Sequence, residues 1–186
     1  MRKTHVKRTL FLGIGNTLLS DEGAGVHALH HVQARNPELQ DAEFVDGGTL
    51  GFTLLEAIER SNQLIVFDAA QLNVEPGRVR CFEGPAMDEF LGRRHRSVHE
   101  IGLVDVLNMA RLSGNAPVRR ALIAIQPESL GWGATPSAAI TRALPKTTQM
   151  ALQLRARWIG SPSHRHRAVT EHSPPGLGKA GVHDST

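Results

Sequence analysis

Cysteine is almost missing from this chain of 186 residues, Cys81 being the only one. No intrachain disulfide can form and no cysteine cluster can hold a metal, which fits a reducing compartment. Long apolar runs are missing too. None approaches the roughly 18 residues that a membrane helix needs, and the basic start is not followed by the apolar segment of a secretory signal. The expectation is a cytoplasmic protein without membrane association. Tyrosine is absent and aromatic residues make up only 4% of the chain, whereas glycine is frequent, with 18 residues. That balance suits an α/β protein with many tight turns better than an all-β sandwich. The pI of about 9.6 invites a nucleic-acid reading, but the charge is unevenly spread. Residues 1–9 carry four cations and no acid, and residues 160–186 carry three cations against two acids, so a net charge of +3 leaves the middle at −2. Lacking a basic stripe interleaved with aromatics, the chain is not expected to bind nucleic acid.

Several catalytic signatures are incomplete. There is no GxSxG elbow, and Cys81 falls in an expected strand, where a small apolar role is commoner than nucleophilic catalysis. Gly13-Ile14-Gly15 begins like a dinucleotide fingerprint, but Leu18 stands where the third glycine belongs, and Asp21 and Glu22 would oppose a pyrophosphate near the helix start. These glycines read better as a tight turn that lets the backbone approach another backbone, such as a peptide substrate. His27 and His31 have the spacing of a helical zinc pair, yet Ala28 replaces the glutamate of HExxH, so they read as a solvated helix face. His95 sits among Arg93, Arg94 and Arg96, in an expected exposed loop. His164, His166, His172 and His183 lie near the C-terminus.

What the chain does have is alternation. Thr9 to Ile14, Leu64 to Phe67 and Ala121 to Ile125 are short, nearly continuous apolar runs, the pattern of parallel strands buried on both faces. Ala42 to Val45 and Arg78 to Phe82 are less uniformly apolar and read as strands nearer an edge, the second introduced by the turn Glu75-Pro76-Gly77. Helical patterns lie between them at Gly23 to Ala34, Gly51 to Arg60, Glu100 to Leu112 and Pro136 to Trp158, where Pro145 should kink the last or start it afresh. The expected fold is a three-layer α/β sandwich: a twisted, mainly parallel sheet of about five strands with helices on both faces. Residues 1–8 read as a basic extension and 9–159 as one domain. Residues 160–186, rich in Ser, Pro, Gly and His, read as a disordered tail, because they lack the apolar surface to offset the entropy of ordering.

Ligands bind such sheets outside the carboxyl ends of the strands, and Glu22, Asp46 and Asp68 all fall after expected strands. Glu22 can simply be an acid favoured by the helix macrodipole. Asp68 follows four buried apolar residues, a costly place for a carboxylate unless it is paired, hydrogen-bonded or liganding; capping the next turn is its plainer role. His99, in Ser97-Val98-His99-Glu100, is either a surface histidine or a ligand. Two carboxylates and an imidazole are the ingredients of an oxygen-and-nitrogen metal site or of a hydrolytic centre. Trp132, flanked by glycines in Gln126 to Thr135, either shapes a docking surface or covers the sheet end.

Taken in order, GIGNTLLSDEGAGVHAL, DGGTLGFTLLEAI, VFDAA and SVHEIGL resemble the endopeptidases that mature nickel-iron hydrogenases, over roughly residues 9 to 158. The resemblance implies removal of a short C-terminal peptide from the hydrogenase large-subunit precursor after nickel insertion. It implies that Glu22, Asp68 and His99 converge on a metal, nickel carried by the substrate with zinc or cadmium as surrogates. Asp46 matches a further motif and is assigned to substrate handling or support. Metal-activated water, a metal-polarised carbonyl, or Asp46 or Asp68 as a general base remain open as the hydrolytic step, with Glu22 in the same constellation. The expected partner is the precursor, met by a monomer. A non-catalytic metal-dependent assembly chaperone and a nucleotide-binding oxidoreductase are the competing readings.

Overall fold

The three apolar runs become the central strands of a five-stranded sheet. The computed structural model describes residues 8–48, 54–93 and 98–160. Its strands are β1 (Thr9–Ile14), β2 (Ala42–Gly48), β3 (Gln63–Ala69), β4 (Val79–Glu83) and β5 (Arg119–Ile125), in the order β2-β1-β3-β5-β4. All neighbours are parallel except β4, which runs antiparallel to β5 at the edge. The two less apolar strands thus occupy the two edges, where one flank of the backbone needs no partner strand.

Continuous apolar runs are needed because each central strand feeds two cores. Leu10, Leu12, Leu64, Val66 and Leu122 face one side, under helices α2 (Leu54–Arg60), α3 (Pro85–Arg93) and α4 (Val98–Leu112). Phe11, Ile65, Phe67, Ile123 and Ile125 face the other, under α1 (Ala24–Arg35) and α5 (Ala138–Gly160). Phe11 anchors the second core by stacking on Phe44 and Phe67, with ring centroids 5.1 and 6.3 Å away. The result is the expected three-layer sandwich. Among the described residues no helix is long and apolar enough to cross a membrane.

Some expectations need correction. α3 was not expected, because only Met87 and Leu91 of its nine residues are buried and so brief an apolar stripe hardly registers as a period. Asp88 holds it in place, bonded to Arg111 on α4 at 2.5 Å and to Arg120 on β5, whose Nε lies 2.9 Å away. α5 neither starts afresh nor ends at Pro145 but runs unbroken from Ala138 to Gly160. Its buried stripe, from Ala139 and Ile140 through Ala143 to Ala151, Leu154 and Trp158, continues on both sides of the proline; packing offsets the one lost hydrogen bond. A 3-10 turn at Ser20–Gly23 precedes α1, and β2 extends to Gly48, so Asp46 lies inside a strand rather than after one. Residues 51–53 of the second expected helix and the whole segment 161–186 lie outside the described residues.

Candidate active site

The carboxyl ends of β1 and β3 are closed by a loop that only glycine permits. Gly15 has φ +133°, and a Cβ there would lie 1.9 Å from the Glu22 carbonyl oxygen. A Cβ on Gly25 would meet the carbonyl oxygens of Phe67 and Ile14 at 2.2 and 2.3 Å. The close approach expected of these glycines is therefore made by the chain's own backbone, not by a substrate. It draws the turn carrying Glu22 onto the ends of β1 and β3. The space that a phosphate-cradling glycine would leave open is taken by a carbonyl acceptor, which removes the basis of the nucleotide reading.

A second loop locks onto this turn. Leu19 bridges Gly133; Ser20 N–H donates to the Gly133 carbonyl at 2.7 Å, and Gly133 N–H to that of Leu18 at 3.0 Å. Asp21 is the pin. Its carboxylate, 0% exposed, accepts the backbone N–H groups of Glu128 (2.8 Å), Ser129 (3.2 Å) and Ser137 (2.6 Å). Burial alone would raise its pKa, but the donors of Ser137, Glu128 and Ser129 together outweigh it and hold the carboxyl below its ordinary value. Sequence reasoning missed this role, since Asp21 looked like a companion of Glu22 at a helix start.

Glu22 itself is half-buried, with Oε2 shut off from solvent. Asp68 is 5% exposed, in the penultimate position of β3 opposite Ala124 of β5. The Ser20–Gly23 turn that carries Glu22 packs against β3, the strand that carries Asp68. Asp46 lies across β1, paired with Gly13, where the register slips before Gly48. It is exposed, and its Oδ1 accepts the Gly48 N–H at 2.9 Å. Strand alternation gives Asp46 the face of Phe44 and Asp68 the face of Val66, which belong to opposite cores. Asp68 thus sits on the layer of α4, whose first turn contains His99; the His99 side chain is outside the described residues, as is His95. Among the described residues no group of three metal-binding side chains assembles.

The remaining candidates take other roles. Cys81 is on β4, and although the residue is exposed, burial of the sulfur and then the Glu83 carboxylate push the thiol to about 11. It stays protonated at neutral pH and offers no thiolate. His27 and His31 are not the solvated face expected. Both are half-buried: His31 Nδ1 is hydrogen-bonded to Thr148 of α5 at 2.7 Å, and His27 Nε2 is buried with no hydrogen-bond partner among the described residues. Burial foremost lowers the pKa of each, reinforced by His30 for His27 and by Arg35 for His31. Trp132 is 87% exposed and does not cover the sheet end.

Known proteins resemble this chain in sequence and in fold. Residues 26–154 match the family described as HycI, hydrogenase maturation protease. The chain is 35% identical over 155 residues to the hydrogenase expression/formation protein HoxM of Cupriavidus necator, covering 83% of this chain and 77% of that one. It is 34% identical over 124 residues to the hydrogenase 2 maturation protease of Escherichia coli, covering 66% and 75% of the two chains. In structure it resembles the hydrogenase maturating endopeptidase HybD from Escherichia coli, with a TM-score of 0.74 at 27% identity over 82% of this chain and 94% of that one.

Proposed function

The chain belongs to the hydrogenase maturation protease family, and from that premise we propose that it is the endopeptidase that removes the C-terminal peptide of a nickel-loaded nickel-iron hydrogenase large-subunit precursor. The observation that carries the reading is that the Ser20–Gly23 turn bearing Glu22 is packed against β3, the strand that bears Asp68 near its end, and is fixed there by close glycine packing and a buried pin. In this reading a cytoplasmic monomer meets the precursor with Glu22, Asp68 and His99 as the ligands it offers to the metal. Nickel is part of the substrate. The donor set suits that division: two oxygens and one imidazole leave a divalent ion with open positions, and the protein's single thiol is protonated, so soft donors must come from the precursor. Zinc or cadmium, ions of similar ligand preference, can occupy the enzyme's ligands as surrogates without supporting cleavage.

Held by these residues, the substrate's nickel would supply Lewis acidity to the scissile carbonyl or to a water. The chain's own residues orient the peptide and accept a proton. Asp68, itself one of the three proposed ligands and buried near the end of its strand, is better placed than Asp46 to take part in the proton transfer. Asp46, exposed and on the opposite face of the sheet, handles the substrate backbone or supports the neighbouring loop.

Mass spectrometry of the precursor after incubation with enzyme tests the proposal. Nickel-loaded precursor should lose its C-terminal peptide, while metal-free and zinc-loaded forms stay whole. Efficient cutting of rigorously metal-free precursor by metal-free enzyme would refute nickel recognition and leave a plain aspartate-based peptidase. Tight, nickel-dependent binding without any cleavage would support the assembly chaperone instead.

A further inference from the structure

Three of the large apolar residues that the fold leaves in water lie on the two loops zipped together beside Glu22. Leu18 is 59% exposed, Leu130 57% and Trp132 87%. Leu18 and Trp132 each immediately precede the bridged pair Leu19 and Gly133, so the backbone ladder sets them side by side. The same ladder continues through Ser20 to Asp21, whose N–H donates to the Ser129 carbonyl at 3.2 Å, and Glu22 is the next residue. The patch and the candidate site are therefore parts of one pinned unit.

We infer that this patch, with Trp132 at its centre, is the docking surface for the large-subunit precursor, which it grips through an apolar segment flanking the bond to be cut. The inference rests on the protease reading above. A protein substrate whose scissile bond reaches Glu22 and Asp68 must also cover the loop on which Glu22 sits. An exposed tryptophan is the residue type that most often concentrates binding energy at such contacts. Asp21 and the ladder already hold the loop, so little ordering entropy remains to be lost when the partner arrives. Trp132 acts as a positioning residue, since nothing in the chemistry requires it to touch the reacting atoms.

The test uses the full chain labelled with 5-fluorotryptophan. It contains two tryptophans, Trp132 and Trp158. Trp158 is buried, with its indole N–H bonded to Glu83 at 3.3 Å, and serves as an internal control; Trp132→Phe assigns the signals. Adding unlabelled nickel-loaded precursor should shift the fluorine resonance of Trp132 and leave that of Trp158 in place. Trp132→Ala should keep the thermal midpoint and kcat of the wild type but raise KM for the precursor about tenfold or more, the signature of lost uniform binding. An unmoved Trp132 resonance at precursor concentrations that wild-type enzyme cleaves would overturn the inference. So would a resonance that moves with enzyme concentration alone, which marks self-association, or one that moves in the free enzyme when residues 161–186 are deleted, which marks coverage by the chain's own end. If the resonance shifts with precursor but wild-type enzyme cuts nothing, docking stands and the protease reading falls.

Discussion

Replacing Asp21 with asparagine keeps the shape of the pin and removes its charge. The carboxylate serves three donors, with Oδ2 accepting from Glu128 and Ser129 and Oδ1 from Ser137. An amide has one oxygen. If it serves the first pair, its NH2 group faces the Ser137 N–H donor to donor, and a buried donor left unpaired costs about 1–3 kcal/mol. The two surviving bonds fall from charge-assisted to neutral, at roughly 1 kcal/mol each. Relief from burying a charge offsets part of this, so the expected net loss is about 2–4 kcal/mol, or a drop of roughly 4–16 °C in Tm for a domain of this size. Urea denaturation of wild type and Asp21→Asn measures it. The sign of the pH dependence provides a second reading. The folded pKa of Asp21 lies below its ordinary 3.8, so its contribution is fully present above that value and is lost as pH falls through the folded pKa. The gap between wild type and variant should therefore narrow in acid below pH 3.8. A loss under about 0.5 kcal/mol at neutral pH would refute the idea that Asp21 holds the two loops, because even one unpaired buried donor costs more.

Glu22→Gln, Asp68→Asn and His99→Ala should each nearly abolish precursor cleavage while keeping the circular dichroism spectrum and melting point close to wild type; Asp46→Asn should slow cleavage less than Asp68→Asn, and near-normal processing by any two of the first three would sink the assignment. Ile65→Ala is the contrasting core substitution, with an expected stability loss of about 2–5 kcal/mol from truncating a fully buried side chain. Gly25→Ala drives a methyl into the carbonyl oxygens of Phe67 and Ile14, backbone atoms of two central strands that cannot yield, and should destabilise by about 3 kcal/mol in the same urea assay; a neutral effect would mean that α1 can slide. His27 and His31 have folded pKa values below their ordinary 6.5, so the unfolded chain takes up protons first and stability should fall as pH drops below that value. A double His27→Gln, His31→Gln variant should lose less over the same range, and an equal loss would place the acid sensitivity elsewhere.

The layers of the fold and the division of its strands into central and edge were largely legible because they rest on local patterns. A run such as Leu64 to Phe67 needs apolar groups at successive positions only when both faces are covered, and the structure divides it between two cores. α3 and the continuity of α5 were not legible, for opposite reasons. α3 has too little buried surface to announce itself. In α5, the local penalty at Pro145 is real, but the stripe of buried residues on either side outweighs it, and that stripe has meaning only once the sheet is present to receive it.

The site divides along the same line. Glu22 and Asp68 were legible as residue types at strand ends, a relation between neighbours in sequence. Asp21 was not: the backbone donors that define its role lie 107, 108 and 116 residues away, and no period or spacing encodes a contact of that range. The histidine face of α1 misled for the same reason, since His31 meets Thr148 across 117 residues. Two adjacent acids that look alike in the chain are thus separated by the fold. Asp21 turns inward and gives its whole charge to backbone donors, while its neighbour Glu22 is held on the turn packed against the strand that bears Asp68. A carboxylate already serving three N–H groups has little basicity left for a metal or a proton, as its lowered pKa indicates. Of the two acids, Glu22 is therefore the one left to serve the proposed chemistry, and its placement depends on the anchor beside it.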